Sequence, residues 1–184
     1  MKKNKIVDFI ILGGGCSGLS FLNQIIEKKI KSYSFIVIEK KRKYHDDKSW
    51  CFWEKNNKKF VKMTEKNWDS FSFNLKGKTN FLKSRNYKYY YIRSIKFYKS
   101  IIDKISKSSN VSLKLGENTK EIIKYKNYYK VITNKNIYVS KNILDTRPNF
   151  NVFKKKPFMY QSFIGYEVKI FNKIELKKNN AYIM

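Results

Sequence analysis

Three glycines near the start of the sequence have the spacing of a nucleotide-binding turn. Gly13, Gly15 and Gly18 form a GxGxxG pattern that follows the apolar run at residues 6–12 and precedes a stretch of helical periodicity. In such a turn the first glycine permits a tight bend, the second lets the backbone approach a pyrophosphate, and the third lets the helix pack closely on the strand. The free N–H groups at the start of the helix then bind phosphate. We therefore predict a dinucleotide site whose turn contains these candidate cofactor-binding residues: Gly13, Gly14, Gly15, Cys16, Ser17 and Gly18.

An acidic residue completes this predicted site. Glu39 ends the apolar run at residues 34–39, about 20 residues after the turn, where a carboxylate accepts hydrogen bonds from the ribose hydroxyls of adenosine. A carboxylate at this place disfavours a ribose 2′-phosphate. These residues leave open whether the nucleotide is FAD or NAD(P), and a glycine-rich turn without a ligand is the alternative interpretation.

Hydrophobic periodicity predicts the elements that position these groups. The run at residues 6–12 is typical of a strand buried on both faces, and a helix with one apolar stripe starts near Ser17. Residues 94–107 have a second helical stripe, which we interpret as a second β-to-α crossover. The stripe of the first helix consists of Leu19, Leu22, Ile25, Ile26 and Ile30, and further strands are predicted at residues 71–75, 79–82, 89–93, 111–115, 121–125, 129–133, 137–139 and 142–145.

The order of these elements predicts an α/β fold of two domains. Residues 1–148 are assigned to a Rossmann-like FAD/NAD(P)-binding domain with a four-strand β-meander insertion, because the chain does not continue as regular βαβ units. Residues 149–157 form a basic linker between the only two prolines, Pro148 and Pro157. Residues 158–184 would begin a second domain.

Composition limits the possible partners. The net charge is +27, but Lys contributes most of it and Arg is scarce, a bias typical of an AT-rich genome. Specific recognition of nucleic acid favours the planar fork of Arg, so we expect no nucleic-acid partner. Two cysteines far apart, Cys16 and Cys51, predict neither a disulfide framework nor a metal site, and this usage fits a reducing cytoplasm. No run of the sequence is long and apolar enough for a membrane span.

Aromatic residues are concentrated at residues 46–54. We interpret this stretch as a loop in which Trp50, Phe52 and Trp53 are candidates to contact an apolar substrate or a flavin. Aromatic residues that only anchor the loop to the core are the alternative.

With these residues in view, the sequence resembles the bacterial lycopene β-cyclases, which are flavoproteins of carotenoid biosynthesis. The last of the matching segments is similar to the family's Gln-His-Phe-x-Gly-Trp, with Ser162 in place of His and Tyr166 in place of Trp. The resemblance covers only the front half of such an enzyme, so the chain is expected to be a truncated form, inactive by itself. The matching segments are the glycine turn at residues 11–19, the aromatic stretch at residues 48–53, Asp-Thr-Arg-Pro at residues 145–148 and the segment at residues 161–167.

The resemblance implies a function and its partners. It implies the topology of glutathione-reductase-type flavoproteins, with an antiparallel sheet in the second, substrate-binding domain. The reaction would be a cyclisation of lycopene, or of a related linear carotene, by acid and base with no net redox change. It would use reduced FAD, with NAD(P)H as the reductant. Because a carotene dissolves in the bilayer, the protein would lie in the cytoplasm against the inner face of the membrane. A complementary C-terminal half is a possible partner.

The resemblance also suggests site residues. Asp145 and Arg147 are candidates to face the cofactor, with stabilisation of the turn after a buried strand as the alternative. Glu167 is a candidate for proton transfer, although an exposed carboxylate beside Lys169 is the simpler interpretation. The candidate substrate-binding residues are Trp50, Phe52, Trp53, Gln161, Phe163 and Gly165.

Two rival functions remain at this point. One is another FAD-dependent enzyme of the same fold, such as a monooxygenase, another oxidoreductase or an isoprenoid reductase. The other is a non-catalytic remnant that binds only a dinucleotide.

Overall fold

The computed structural model describes residues 6–55, 63–149, 159, 168, 171 and 179–183. Within these residues the chain forms two helices and twelve strands. In chain order they are β1 (Val7–Leu12), α1 (Cys16–Glu27), β2 (Phe35–Glu39), β3 (Ser49–Lys55), β4 (Lys66–Trp68), β5 (Ser70–Leu75), β6 (Lys78–Lys83), β7 (Tyr87–Arg93), α2 (Ser94–Ile105), β8 (Val111–Leu115), β9 (Thr119–Lys124), β10 (Tyr129–Thr133), β11 (Ile137–Asp145) and β12 (Asn180–Ile183).

The chain divides into two compact units. The first contains Met1–Asp47 and Ser94–Pro148, and the second contains Lys48–Arg93 and Asn149–Met184. Residues 48–93, predicted as part of a domain at residues 1–148, therefore belong to the second unit, because their strands pair with one another and with β12. The predicted linker at residues 149–157 lies, after its first residue, outside the described residues, as does most of residues 158–184.

A six-stranded sheet organises the first unit, in the order β8-β2-β1-β11-β10-β9. The pairs β8-β2, β2-β1 and β1-β11 are parallel, whereas β11-β10 and β10-β9 are antiparallel. Side chains of β1 are fully buried at Ile10, Ile11 and Leu12, as expected for a parallel strand covered on both faces. The predicted α/β fold with a parallel sheet is confirmed.

Two helices pack together in this unit. On α1, Leu19 and Leu22 are fully buried, and the helix begins within one residue of the predicted start. It ends at Glu27, so Ile30, predicted on its stripe, follows the helix. The ammonium group of Lys104 on α2 donates to Asn23 Oδ1 at 2.7 Å and to Glu27 Oε1 at 2.8 Å, which ties the two helices to each other.

Some strands of the six-stranded sheet differ from the sequence prediction in their bounds or their partners. Residues 137–139 and 142–145 were predicted as two strands, but they form the single strand β11, whose first half pairs with β10 and whose second half pairs with β1. The predicted four-strand meander comprised residues 111–115, 121–125, 129–133 and 137–139. Its first strand, β8, instead pairs in parallel with β2, so β9, β10 and β11 make the meander. The predicted second crossover is also wrong, because β7, which precedes α2 along the chain, lies in another sheet.

Two three-stranded sheets form the second unit, β3-β7-β4 and β12-β5-β6. The strands predicted at residues 71–75 and 79–82 are confirmed as β5 and β6, which pair as a hairpin around Lys76 and Gly77. Both of these residues have positive φ, as a tight hairpin turn requires. Strand β12 pairs in parallel with β5, so this sheet is mixed rather than purely antiparallel.

No helix in the part of the chain that the structure describes has the length and apolar character that crossing a bilayer requires.

Candidate functional site

The glycine turn lies between β1 and α1, at the carboxyl end of the parallel sheet. Gly13 has φ +96°, a conformation that L side chains rarely adopt, and its N–H donates to the carbonyl of Ile38 at 2.9 Å. A Cβ added to Gly18 would lie 2.2 Å from the carbonyl oxygen of Gly13 and 3.2 Å from Ile11 Cγ2. The first and third glycines are thus required by the protein itself, for the bend and for the close packing of α1 on β1.

The second glycine is different, because the space beside it is open. A Cβ added to Gly15 would meet no atom within 4 Å. Gly15 is also the N-cap of α1, where no side chain caps the helix, and the first backbone bond joins Leu19 N to Gly15 O at 3.0 Å. The N–H groups of the first helical turn therefore have no carbonyl partner within the helix, and the open space beside Gly15 fits a pyrophosphate.

Glu39 lies directly behind the turn. Its Oε2 accepts from the N–H of Gly14 at 2.7 Å and its Oε1 accepts from the N–H of Lys41 at 2.9 Å. The residue is only 7% exposed, and these two bonds fix the carboxylate at the end of β2. Each carboxylate oxygen has a second lone pair, so ribose hydroxyls can still donate to Glu39. The adjacency to the turn is observed, and the ribose contact stays a prediction.

Tyr44 supports the turn and was missed in the sequence. Its hydroxyl donates to the carbonyl of Gly14 at 2.8 Å, and its ring stacks on Tyr98 with centroids 4.2 Å apart. Burial, together with the charge of Glu39, raises the pKa of Tyr44 well above the ordinary value, and burial raises the pKa of Tyr98 to about 12. Both hydroxyls stay protonated at neutral pH, so Tyr44 remains a donor. An irregular polar loop has no periodicity that could have singled it out.

The Asp-Thr-Arg segment stands beside the turn, at the end of β11. Asp145 and Arg147 form a bidentate pair, with Arg147 Nε 2.8 Å from Oδ1 and Nη2 2.7 Å from Oδ2. This guanidinium lowers the pKa of the Asp145 carboxyl. Thr146, also missed as a site residue, donates its hydroxyl to the carbonyls of Leu12 at 3.0 Å and Gly13 at 3.1 Å. Thr146 and the backbone therefore hold the turn, while Asp145 and Arg147 hold each other next to it.

The aromatic stretch forms strand β3, not a loop. Because side chains alternate along a strand, Trp50 and Phe52 share one face and Trp53 lies on the other. Phe52 stacks on the fully buried Tyr90 at 5.7 Å between centroids. Trp53 packs on its own face against Phe71 and Tyr89, at 4.5 and 4.6 Å between centroids, and stays 42% exposed. The three candidate substrate residues therefore do not form one continuous surface.

The other predicted residues fall elsewhere. Gln161, Phe163, Gly165 and Glu167 lie outside the described residues, so their roles stay predictions. The dinucleotide turn is the candidate site whose parts the structure brings together.

The sequence matches a known protein family over most of its length. The family model described as "Lycopene cyclase protein" matches residues 8–180. No curated protein matches the sequence at a significant level.

Solved structures with the same fold include several oxidoreductases. The p-nitrophenol 4-monooxygenase PnpA from Pseudomonas putida is 13% identical, with a TM-score of 0.63 over 78% of this chain and 41% of that one. PqsL, a probable FAD-dependent monooxygenase from Pseudomonas aeruginosa, is 10% identical, with a TM-score of 0.60 over 76% and 42%. The amino acid oxidase NikD is 10% identical, with a TM-score of 0.58 over 79% and 52%. The chain thus spans about half the length, or less, of the structures it resembles.

Proposed function

Because the chain belongs to the lycopene cyclase protein family, we propose that it is the dinucleotide-binding part of a flavin-dependent lycopene β-cyclase. The reaction adds a proton to a terminal double bond of lycopene, closes a ring on the resulting cation and releases a proton to give a β-ionone ring. It changes no net oxidation state, and closure at both ends gives β-carotene.

The open N-terminus of α1 beside Gly15 is the observation that supports a bound dinucleotide. In the proposed complex, backbone N–H groups of residues 15–18 bind the pyrophosphate of FAD, since helix N-termini favour anions. Glu39 accepts from the adenosine ribose, and Tyr44 and Thr146 keep the turn in its bent form. When bound and reduced by NAD(P)H, the flavin would supply the negative charge that stabilises a carbocation.

Asp145 and Arg147 have a positioning role in this proposal. Asp145 is the last residue of β11, and Cγ of its partner Arg147 would lie 3.2 Å from a Cβ added to Gly13. The pair therefore limits the space beside the first glycine and faces the place where the dinucleotide passes the turn. Glu167 remains our candidate for proton transfer.

The substrate and its location belong to the same proposal. A linear carotene reaches a protein only from a bilayer, so we propose that the protein binds the inner face of the cytoplasmic membrane. The net charge of +27 supports attraction to anionic lipids. Trp50, Phe52, Trp53, Gln161, Phe163 and Gly165 are the residues proposed to contact lycopene.

Flavin retention tests the first half of the proposal. The purified 184-residue chain should retain FAD at one equivalent, and Gly15→Val should lose it, because a branched side chain would occupy the space left for the pyrophosphate. The helical circular dichroism of Gly15→Val should match wild type, since a Cβ at this position meets no atom within 4 Å. Equal FAD retention by both proteins would contradict the site.

Cyclisation tests the second half. Expressed in a lycopene-accumulating bacterium, the chain alone should give no cyclic product, because it spans at most about half of the structures it resembles. Co-expression with the C-terminal half of a lycopene cyclase should give β-carotene, and Gly15→Val should abolish it. Incorporation of oxygen, or hydride addition to another isoprenoid, would instead indicate the rival flavoenzymes.

A further inference from the structure

An open cavity in the first unit lies at the carboxyl end of β2, just beyond Glu39. Its volume is about 520 Å³, and we call it the basic cavity. This volume falls within the range of sites for small molecules. The residues that line it are Lys41, Arg42, Lys43, His45 and Asp47.

The backbone that carries these side chains is held at several points. Gly116 N donates to the carbonyl of Lys41 at 2.8 Å, and Ser94 Oγ donates to the carbonyl of His45 at 3.1 Å. Between Lys41 and His45 in the sequence, the hydroxyl of Tyr44 donates a hydrogen bond to the carbonyl of Gly14. The cations are therefore presented from a fixed loop, which lowers the conformational cost of binding.

The charges of the basic cavity are only partly compensated. Lys41 pairs with Asp47 and lies over the ring of Tyr98, 5.7 Å from its centroid. Arg42 and Lys43 have no ion-pair partner among the described residues. Two cationic groups, one of them a guanidinium fork, thus line the cavity without an ion-pair partner of their own, while Asp47 pairs with Lys41. Unpaired cations of this kind recognise a phosphate monoester.

We propose that the basic cavity binds the 2′-phosphate of NADPH, so that NADPH is preferred over NADH. The identity of this ligand rests on the proposed function, which requires a nicotinamide reductant. Glu39 disfavours a 2′-phosphate on the nucleotide held by the turn. The 2′-phosphate bound by Arg42 and Lys43 therefore belongs to a second nucleotide, which binds beside FAD rather than in its place.

The experiment compares adenosine 2′,5′-bisphosphate, AMP and inorganic phosphate by calorimetric titration of the 184-residue chain, with and without FAD. We expect the bisphosphate to bind at least tenfold more tightly than AMP or inorganic phosphate, and FAD to leave its affinity unchanged. The double variant R42A/K43A should lose this preference. The charge-matched control R85A/K120A, whose residues are exposed and do not line the cavity, should keep it.

The outcomes separate this inference from the flavin site. Equal affinities for bisphosphate and AMP, equally weak binding by both double variants, or displacement of FAD by the bisphosphate would each overturn it. A preference for bisphosphate that depends on Arg42 and Lys43, in a chain that retains no FAD, would support this inference and refute the flavin part of the proposed function.

Discussion

The two units present their candidate binding residues in opposite ways. In the first unit, backbone N–H and carbonyl groups form the turn, and buried side chains such as Glu39 and Thr146 hold it from behind. In the second unit, aromatic rings pack on one another across strands, and Trp53 remains partly exposed. A site made by the backbone tolerates almost no change in shape, whereas a surface made by side chains can lose a member and keep its fold. The substitutions below test this difference.

All three tryptophans of the sequence lie in the second unit, at residues 50, 53 and 68, and both helices of the described chain lie in the first. Tryptophan fluorescence therefore follows unfolding of the second unit, and helical circular dichroism follows unfolding of the first.

Gly18→Ala should have the largest effect. The added methyl would overlap the carbonyl oxygen of Gly13, so α1 must move away from β1, at a cost of about 3 kcal/mol in the free energy of unfolding. Urea unfolding followed by circular dichroism should show this loss. Gly15→Ala is the matched control and should change stability by less than about 0.5 kcal/mol, because its site is open. Equal stability of the two variants would refute the contrast between the glycines.

These two glycines illustrate how much of the molecule can be predicted from sequence. The strand, turn, helix and acidic residue of the first unit follow one another within 40 residues, and their periodicity and spacing are local, so they could be predicted. The partners of β8 and the double pairing of β11 depend on contacts across the sheet, which local patterns do not encode. Tyr44 was missed for the same reason, because it acts through a contact with Gly14 thirty residues earlier.

The prediction of a loop at residues 46–54 was wrong for another reason. Strand β3 carries large aromatic residues on both faces, so the sequence lacks the alternation of apolar and polar residues that marks a half-buried strand. Only the pairing with β7, from Ser49 opposite Arg93 to Lys55 opposite Tyr87, reveals it.

Glu39→Ala should have the second-largest effect. It leaves the N–H groups of Gly14 and Lys41 without their acceptor, and the first of these is buried, so we expect a loss of about 2 kcal/mol. Glu54→Ala in the second unit is the matched control, because among the described residues Glu54 accepts only an exposed bond, from Lys55 N at 2.8 Å. We expect the control to lose less than about 0.5 kcal/mol. Similar losses in both variants would show that burial does not distinguish the two carboxylates.

Trp53→Ala should have a smaller effect, confined to the second unit. Loss of the contacts with Phe71 and Tyr89 should cost about 1 kcal/mol, well below the cost for a fully buried aromatic residue, because Trp53 is already partly exposed. Fluorescence of Trp50 and Trp68 still follows the transition. The midpoint measured by circular dichroism should move less than the midpoint measured by fluorescence, and an equal shift in both would mean that the two units unfold as one.

Removing the Asp8 carboxylate should have the smallest effect, a weaker dependence of the first unit's stability on acid pH. Lys141, with the N–H and hydroxyl of Ser34, lowers the pKa of Asp8 on β1 well below the ordinary value of 3.8. A carboxyl whose pKa is lower in the folded state stabilises the protein above its unfolded pKa, and this stabilisation is lost as the pH falls through the folded value. Below about pH 4, stability measured by circular dichroism should therefore fall less steeply in Asp8→Asn than in wild type. Lys141→Gln should flatten the dependence in the same direction, because it removes the cation that lowers this pKa. If the stability of both variants depends on pH as steeply as that of wild type, the acid sensitivity comes mainly from Asp145 instead. Asp145 lies at the other end of the β1–β11 pair, and Arg147 lowers its pKa.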